Sequence, residues 1–300
     1  MGTFVEVTVK GTKEKAEQAR RAVFDEIARV EALTSFHKPS GLTTINSLAG
    51  TGAVHADPEL TALVEESLKH AGETDGAFEP TLGPLARIWN FSGGEPRLPE
   101  DPEIKTALEK KGWKRVKTDK MASTVTLSHK GMSLDLGGIA KGYSLDRAGA
   151  VLKKLGVQAA LINAGGDILA LGEKSPGKPW RVGVQDPRNP KGLVAVAAIK
   201  DRVIVTSGDY ERFFIREGKR YHHILDPATG YPTTGLRSVT IVAREGTRAD
   251  AMATAIFSLG VERGLQYVEN TPDVEGFLID AEGKMFLSSG AKDFLEASTK

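Results

Sequence analysis

Residues 159–172 read AALINAGGDILALG, two apolar runs parted by Gly165-Gly166. Each run has the length of a buried strand, and the glycine pair breaks any helical continuation between them. Upstream, IAKGYSLDRAGAVLKKLG reads as a helix from near Ile139 that ends on Gly156. Before it, RVKTD, TVTLS and MSLDL are short alternating runs, read as strands. Downstream, strands are expected around Trp180, Val194, Val203, Phe213 and Tyr221, then over Val239 to Ala243, and near Phe277 and Met285.

Helices flank this strand-rich middle. After a first strand in MGTFVEVTV, Lys13 to Leu33 places Ala16, Ala19, Val23, Ile27 and Val30 at helical spacing. The segment TSFHKPSGLTTIN (34–46) reads as a polar loop. Asp57-Pro58 has the form of an N-cap with proline in the first turn, opening a helix that runs to about Thr74. Pro80 restarts a helix carrying Trp89, and FSGGEPRLPEDPE (91–103) is an exposed connection. Helices return at Thr247 to Leu259 and Val261 to Asn270. The pattern predicts an α+β fold, mixed or antiparallel sheets flanked by helices, in one domain over 1–300 or two intimate lobes.

Composition narrows the function. Three hundred residues carry a formal charge of +1, which gives no electrostatic footprint for nucleic acid. There is no cysteine, so disulfides, thiolate metal sites and cysteine nucleophiles are excluded. No apolar run approaches the roughly 20 residues of a membrane-spanning helix.

Four motifs carry chemistry. In TRADAMATAIFSLG, Asp250 and Thr254 stand at i and i+4 on one helix face. Their hard oxygens suit magnesium or calcium, although the spacing equally suits an ordinary helix start. In SLDLGGIAKGYSLD, Gly137-Gly138 precedes a helix whose first turn bears Lys141. Such a start attracts phosphate, but it is neither nucleotide-binding glycine motif and also reads as a tight turn with a surface lysine. In YHHILDPATGYP, strand alternation puts His222 with Ile224 on one face and His223 with Tyr221 and Leu225 on the other. Asp226-Pro227-Ala228-Thr229-Gly230 is turn chemistry that holds the strand end. In TDGAFEPTLGPLARIWNF, Phe78 is either a stacking face for a flat ring or a core aromatic.

Taken together and in order, these stretches with INAGGDI, TSGDYERFF and ADAMATA resemble the ApbE family of FAD:protein FMN transferases, from residue 1 to about residue 260. The resemblance implies binding of FAD with Mg2+ and transfer of the FMN half to a threonine or serine of a partner protein, with release of AMP. It implies metal ligands at Asp250, Thr254 and the backbone carbonyl of Gly138. It implies flavin-nucleotide contacts at Met1, Phe36, Ala77, Phe78, Glu79, Asp135, Lys141 and Ile224, with phenylalanine at 36 where tyrosine is expected. His223 falls on the family histidine and is expected to act as the base, oriented by Asp209 or Asp226. The alternatives are a Mg2+-dependent FAD pyrophosphatase, with water as nucleophile, and a non-catalytic FAD-binding protein.

The expected partner is an acceptor flavoprotein with a [ST]-G-A-[ST] motif. TGAV at Thr51–Val54 and SGAK at Ser289–Lys292 depart from that motif at the last position and read as coincidental. Family members are usually exported and lipid-anchored. The expected location is therefore the periplasm, as a lipoprotein whose leader and anchor are missing from this chain.

Overall fold

A computed structural model describes residues 3–92 and 94–296. The chain runs through β1 (Val5–Val9), α1 (Lys13–Thr34), α2 (Gly41–Ser47), β2 (Ala53–His55), α3 (Pro58–Glu73), α4 (Gly83–Trp89) and α5 (Asp101–Glu109). Next come β3 (Val116–Asp119), β4 (Thr124–Leu127), α6 (Ala140–Lys154), β5 (Ala160–Ala164), β6 (Asp167–Leu171), β7 (Trp180–Asp186) and β8 (Asn189–Ile199). The remainder is β9 (Arg202–Gly208), β10 (Phe213–Arg216), β11 (Lys219–His222), β12 (Leu236–Ala243), α7 (Gly246–Glu269), β13 (Glu275–Asp280), β14 (Met285–Leu287) and β15 (Leu295–Glu296).

The glycine pair at 165–166 joins the two expected strands in a hairpin: β5 and β6 pair antiparallel from Ala160↔Leu171 to Ala164↔Asp167. Both glycines have positive φ (64° and 96°), the conformation that admits so tight a return. Around them lies a seven-stranded antiparallel sheet in the order β1-β5-β6-β9-β12-β13-β14. Its alternation separates two cores. Val203, Val205, Val239 and Ile241 meet α7, whereas Ile204, Val242 and Phe277 meet the small sheet β15-β8-β7 through Trp180, Val182 and Ala197. α1 and α6 cover the β1-β5-β6 end of the α7 side.

The helix signals are physically sound. Asp57 caps α3 by accepting from the Glu59 N–H at 2.8 Å, and Ala19, Val23, Ile27 and Val30 bury the inner stripe of α1. The two late helices are one element broken at Gly260 (φ 75°, ψ −176°). Three expectations are corrected. Residues 41–47 form α2, because Ser40 and Thr43 make a reciprocal capping box inside what read as a loop. Asp101–Glu109 is also a helix, with Pro102 in its first turn. MSLDL is not a strand: Leu134 gives its N–H to the Asn46 side chain at 2.7 Å and takes the Asn46 amide at 2.9 Å. A side chain there supplies what a neighbouring strand would.

Two packing features fix the site. Arg29 bridges Glu26 and Glu59, and Tyr143 donates to Glu59 at 2.5 Å, tying α1, α3 and α6 together. Separately, α6 and α7 meet backbone to backbone at two glycines: a β-carbon on Gly142 would stand 1.9 Å from the Gly246 carbonyl oxygen.

Candidate functional site

The α6–α7 crossing gathers the oxygen donors. Asp250, one turn into α7, is 1% exposed and accepts from the Gly142 N–H at 3.0 Å. Asp146 on α6 answers by accepting from the Gly246 and Thr247 N–H groups at 2.7 and 2.8 Å and from the Thr247 hydroxyl at 2.6 Å. Each helix thus caps the other's start. Thr254 lies one turn beyond Asp250. Its Oγ1 would be 2.9 Å from a β-carbon at Gly138, so the glycine turn abuts that hydroxyl. Lys141, in the first turn of α6, reaches Asp167, which is fully buried at the start of β6.

Electrostatics show a deficit of positive charge. Burial pushes the Asp250 carboxyl up to about 6; Lys141 opposes that shift and Asp167 adds to it. Burial weighs against the Lys141 charge, yet Asp167 and Asp250 hold it above the ordinary lysine value. Two buried carboxylates face one ammonium. Among the described residues no group of three or more His, Asp and Glu side chains is assembled for a metal. The donors at hand are a carboxylate, a hydroxyl and backbone carbonyl oxygens. That set fits a hard divalent cation completed by water or ligand oxygens, and it does not fit zinc.

A second group lies around Asp135. Its carboxylate accepts from the Gly137 N–H at 2.8 Å; burial raises its pKa, while His37, Arg212 and Arg87 pull it down. The Arg87 guanidinium lies over the Phe36 ring, 5.1 Å from its centroid. Phe78 is 3% exposed, edge-on to His70 and packed against the glycine turn. Its side chain offers no open stacking face here. Glu79 is buried, with Oε1 taking the Thr81 N–H and hydroxyl and Oε2 taking the Trp113 N–H. Ala77 is half-buried next to them, the Ile224 side chain lies in the α7 core, and Met1 lies outside the described residues.

β11 ends at His222 and the chain bends at His223, so the strand expected to carry both histidines stops between them. His222 is buried, donating from Nε2 to the Thr233 carbonyl at 2.9 Å and accepting the Ile224 N–H on Nδ1, with Phe257 beside it. The buried Nδ1 of His223 has no hydrogen-bond partner. The turn behind it is held by Trp89, whose indole N–H donates to the Gly230 carbonyl at 2.9 Å. The expected orienting carboxylates do not serve. Asp209 is gripped by Arg188 through bonds of 2.7 and 2.6 Å, and Asp226 caps its own turn through the Ala228 N–H and the Thr229 hydroxyl. What positions His223 is its backbone, whose N–H donates to the Arg212 carbonyl at 3.0 Å.

Burial, then Arg212, His222 and Lys141, lower the His223 pKa to about 3, and burial also lowers that of His222. The His223 ring should therefore be neutral at pH 5, as nitrogen chemical shifts of its imidazole will report. The sign follows: the folded protein refuses a proton that the unfolded chain takes near 6.5. These histidines thus contribute stability above about pH 6.5 that is lost as the pH falls. A His223 ring titrating near 6.5 would mean that it is wet and that Arg212 and Lys141 do not act on it.

Several groups here were not singled out from the sequence: Asp167, Asp146, Arg212, Arg87 and the Gly142–Gly246 contact. Each works across elements far apart in the chain, so no local spacing marks them. A cavity of about 660 Å3 lined by Lys69, Lys153 and Arg248 lies apart from Gly138, Thr254 and His223.

An α+β scaffold that gathers a carboxylate and a hydroxyl where two helix starts cross is the frame of this site. The chain belongs to the ApbE family, whose model matches residues 1–278. A relative from Treponema pallidum, named FAD:protein FMN transferase, is 36% identical over 98% of this chain and 86% of its own length. One of the same name from Klebsiella pneumoniae is 34% identical over 89% of this chain and 84% of its own. The crystal structure of the ApbE protein from Thermotoga maritima superposes with a TM-score of 0.91 at 35% identity, covering 98% of this chain and 96% of that one. The flavinyl transferase ApbE of Pseudomonas stutzeri gives 0.83 at 28% identity, covering 98% of each.

Proposed function

We propose that this protein is a Mg2+-dependent FAD:protein FMN transferase, moving the FMN half of FAD to a Ser or Thr of an acceptor flavoprotein and releasing AMP. The observation that carries the reading is the juxtaposition of Asp250, Thr254 and the Gly138 turn with Lys141 at the start of α6. Asp250, Thr254 and the Gly138 carbonyl would hold Mg2+, which when bound neutralises charge on the diphosphate. Lys141 faces that diphosphate as a fixed cation. Phe36 and Asp135, with the backbone of Ala77 to Glu79 and of Ile224, shape the flavin side.

His223 is the base. Neutral at physiological pH, its ring accepts the proton of the acceptor hydroxyl as that oxygen attacks the phosphorus nearer riboflavin. One phosphorus–oxygen bond forms to the acceptor, the bond to AMP breaks, and AMP leaves. The ordinary contribution of such a base is about 10²–10⁴-fold. The diphosphate's negative charge also offsets Arg212 and Lys141, raising the basicity of His223 when substrate is bound.

We place the reaction in the periplasm, on a lipid-anchored protein acting on an acceptor that carries [ST]-G-A-[ST]. Among the described residues no helix is long and apolar enough to cross a membrane. The test is incubation with FAD, Mg2+ and an acceptor bearing that motif, followed by intact mass of the acceptor and assay of AMP. The acceptor gains one FMN on its final Ser or Thr, with equal AMP. His223→Ala slows this by about 10² or more while FAD affinity holds, and His222→Ala costs stability before rate. Free FMN without acceptor modification, across several acceptors, would make the protein a pyrophosphatase instead.

A further inference from the structure

We propose that Asp167 is a positioning residue that holds Lys141 away from Asp250, leaving the Asp250 carboxylate for the cation; this rests on the metal reading above. Asp167 is fully buried, and both of its oxygens are engaged. Oδ2 takes the Lys141 ammonium, and Oδ1 takes the Thr206 backbone N–H at 3.0 Å. That second bond has a particular origin. The β6–β9 ladder runs from Ala170↔Arg202 to Ile168↔Ile204 and stops there. Beyond its last pair, the Asp167 carboxylate accepts the Thr206 N–H that a continued strand would have taken. Thr206 is held in turn by its hydroxyl contact with Thr240 on β12 at 2.9 Å. The carboxylate is therefore mounted on the central sheet and cannot follow a moving lysine.

Lys141 is otherwise a long, flexible chain at the first turn of α6 with two other carboxylates acting on it, Asp250 and Glu211. An ammonium on Asp250 would occupy the charge that a cation needs and would lose to it only by competition. Mounted on Asp167, the same ammonium sits beside the cation's place without filling it. Asp167 acts through Lys141 and touches no substrate in this role.

The distinguishing test is Mn2+ titration of the protein without FAD, followed by electron paramagnetic resonance of the free ion. Asp167→Asn keeps an oxygen for the Thr206 N–H, so the fold should persist, and Mn2+ affinity should drop about tenfold as Lys141 turns to Asp250. Lys141→Gln alone should leave affinity within about threefold, because Lys141 is not on Asp250 in the native protein. The double variant should match Lys141→Gln, the competitor being gone. Wild-type affinity in Asp167→Asn would overturn the proposal. So would equal losses from Asp167→Asn with and without Lys141, since Asp167 would then act through its own charge. A tenfold gain in Lys141→Gln overturns it without requiring Asp167→Asn to fold. Absence of Mn2+ binding by wild type, or binding retained in Asp250→Ala, defeats the metal site itself and the proposal with it. Once Asp250-dependent binding is seen, the Asp167 variants decide alone.

Discussion

Gly142→Ala unfolds the site and lowers the melting temperature by about 10 °C or more. The added methyl carbon would stand 1.9 Å from the Gly246 carbonyl oxygen and 2.8 Å from the Asp250 β-carbon. Neither obstacle is a flexible chain end, so the two helices must part. Parting them strains the Asp250 bond to the Gly142 N–H and the three bonds that Asp146 makes to Gly246 and Thr247. Overpacking alone costs about 1–3 kcal/mol, and each lost cap about 1 kcal/mol more. At about 2–4 °C per kcal/mol in a chain of this class, the shift should be readily measured. Gly149→Ala is the control on the same helix. Its methyl would meet only the Leu169 Cδ2, at 2.7 Å, and that side chain can turn aside. Its loss should be near 1 kcal/mol. Equal melting temperatures for the two variants would mean that the helix crossing is loose.

Legibility in the sequence followed the range of the interaction. Local signals read well: Asp57-Pro58 opens α3, and Gly156 (φ 70°) follows the end of α6. The Gly165-Gly166 hairpin lies where its two glycines put it. The strand expected at Tyr221 is present but ends at His222, one residue before the family histidine. The misreadings share a cause. Residues 132–136 alternate like a strand but join no ladder: Leu134 bonds to the Asn46 side chain, 88 positions away, and Ser133 and Asp135 bond to the backbone of Gly83 and Pro80. Residues 41–47 lack an apolar stripe long enough to register, and their helix depends on one capping box.

The site divides along the same line. Asp250 and Thr254 are visible because helix geometry fixes i and i+4. The partners that give them meaning are not visible, since Asp167 meets Lys141 across 26 positions and Gly142 meets Asp250 across 108. Residue roles at Asp209 and Asp226 failed as sequence expectations for a related reason. A carboxylate near a histidine in sequence is available only if no stronger partner claims it, and Arg188 and the turn backbone claim these.

Asp250→Asn separates the metal from the fold. Asparagine keeps an oxygen for the Gly142 N–H, whereas alanine would leave that buried donor unpaired at about 1–3 kcal/mol. What asparagine removes is the charge. In the metal-free protein that charge is a burden: burial lifts the carboxyl from 3.8 to about 6, so ionising it at pH 7.5 costs roughly 3 kcal/mol. The sign is fixed by proton uptake. Between about 4 and 6 the folded state holds the proton more tightly, so this contribution falls as the pH rises and is gone above 6. Metal-free Asp250→Asn should therefore melt at or above metal-free wild type at pH 7.5. Added Mg2+ should raise the melting temperature of wild type and leave that of the variant unchanged, because an amide N–H now faces the cation's place. Transfer of FMN should fall by about 10³ or more, the loss of several kcal/mol of charge stabilisation at the diphosphate. Normal Mg2+-supported transfer by the variant would remove Asp250 from the metal site. A variant that stays inactive while Mg2+ still stabilises it would leave the ion elsewhere and give Asp250 a role in holding α6 to α7 alone.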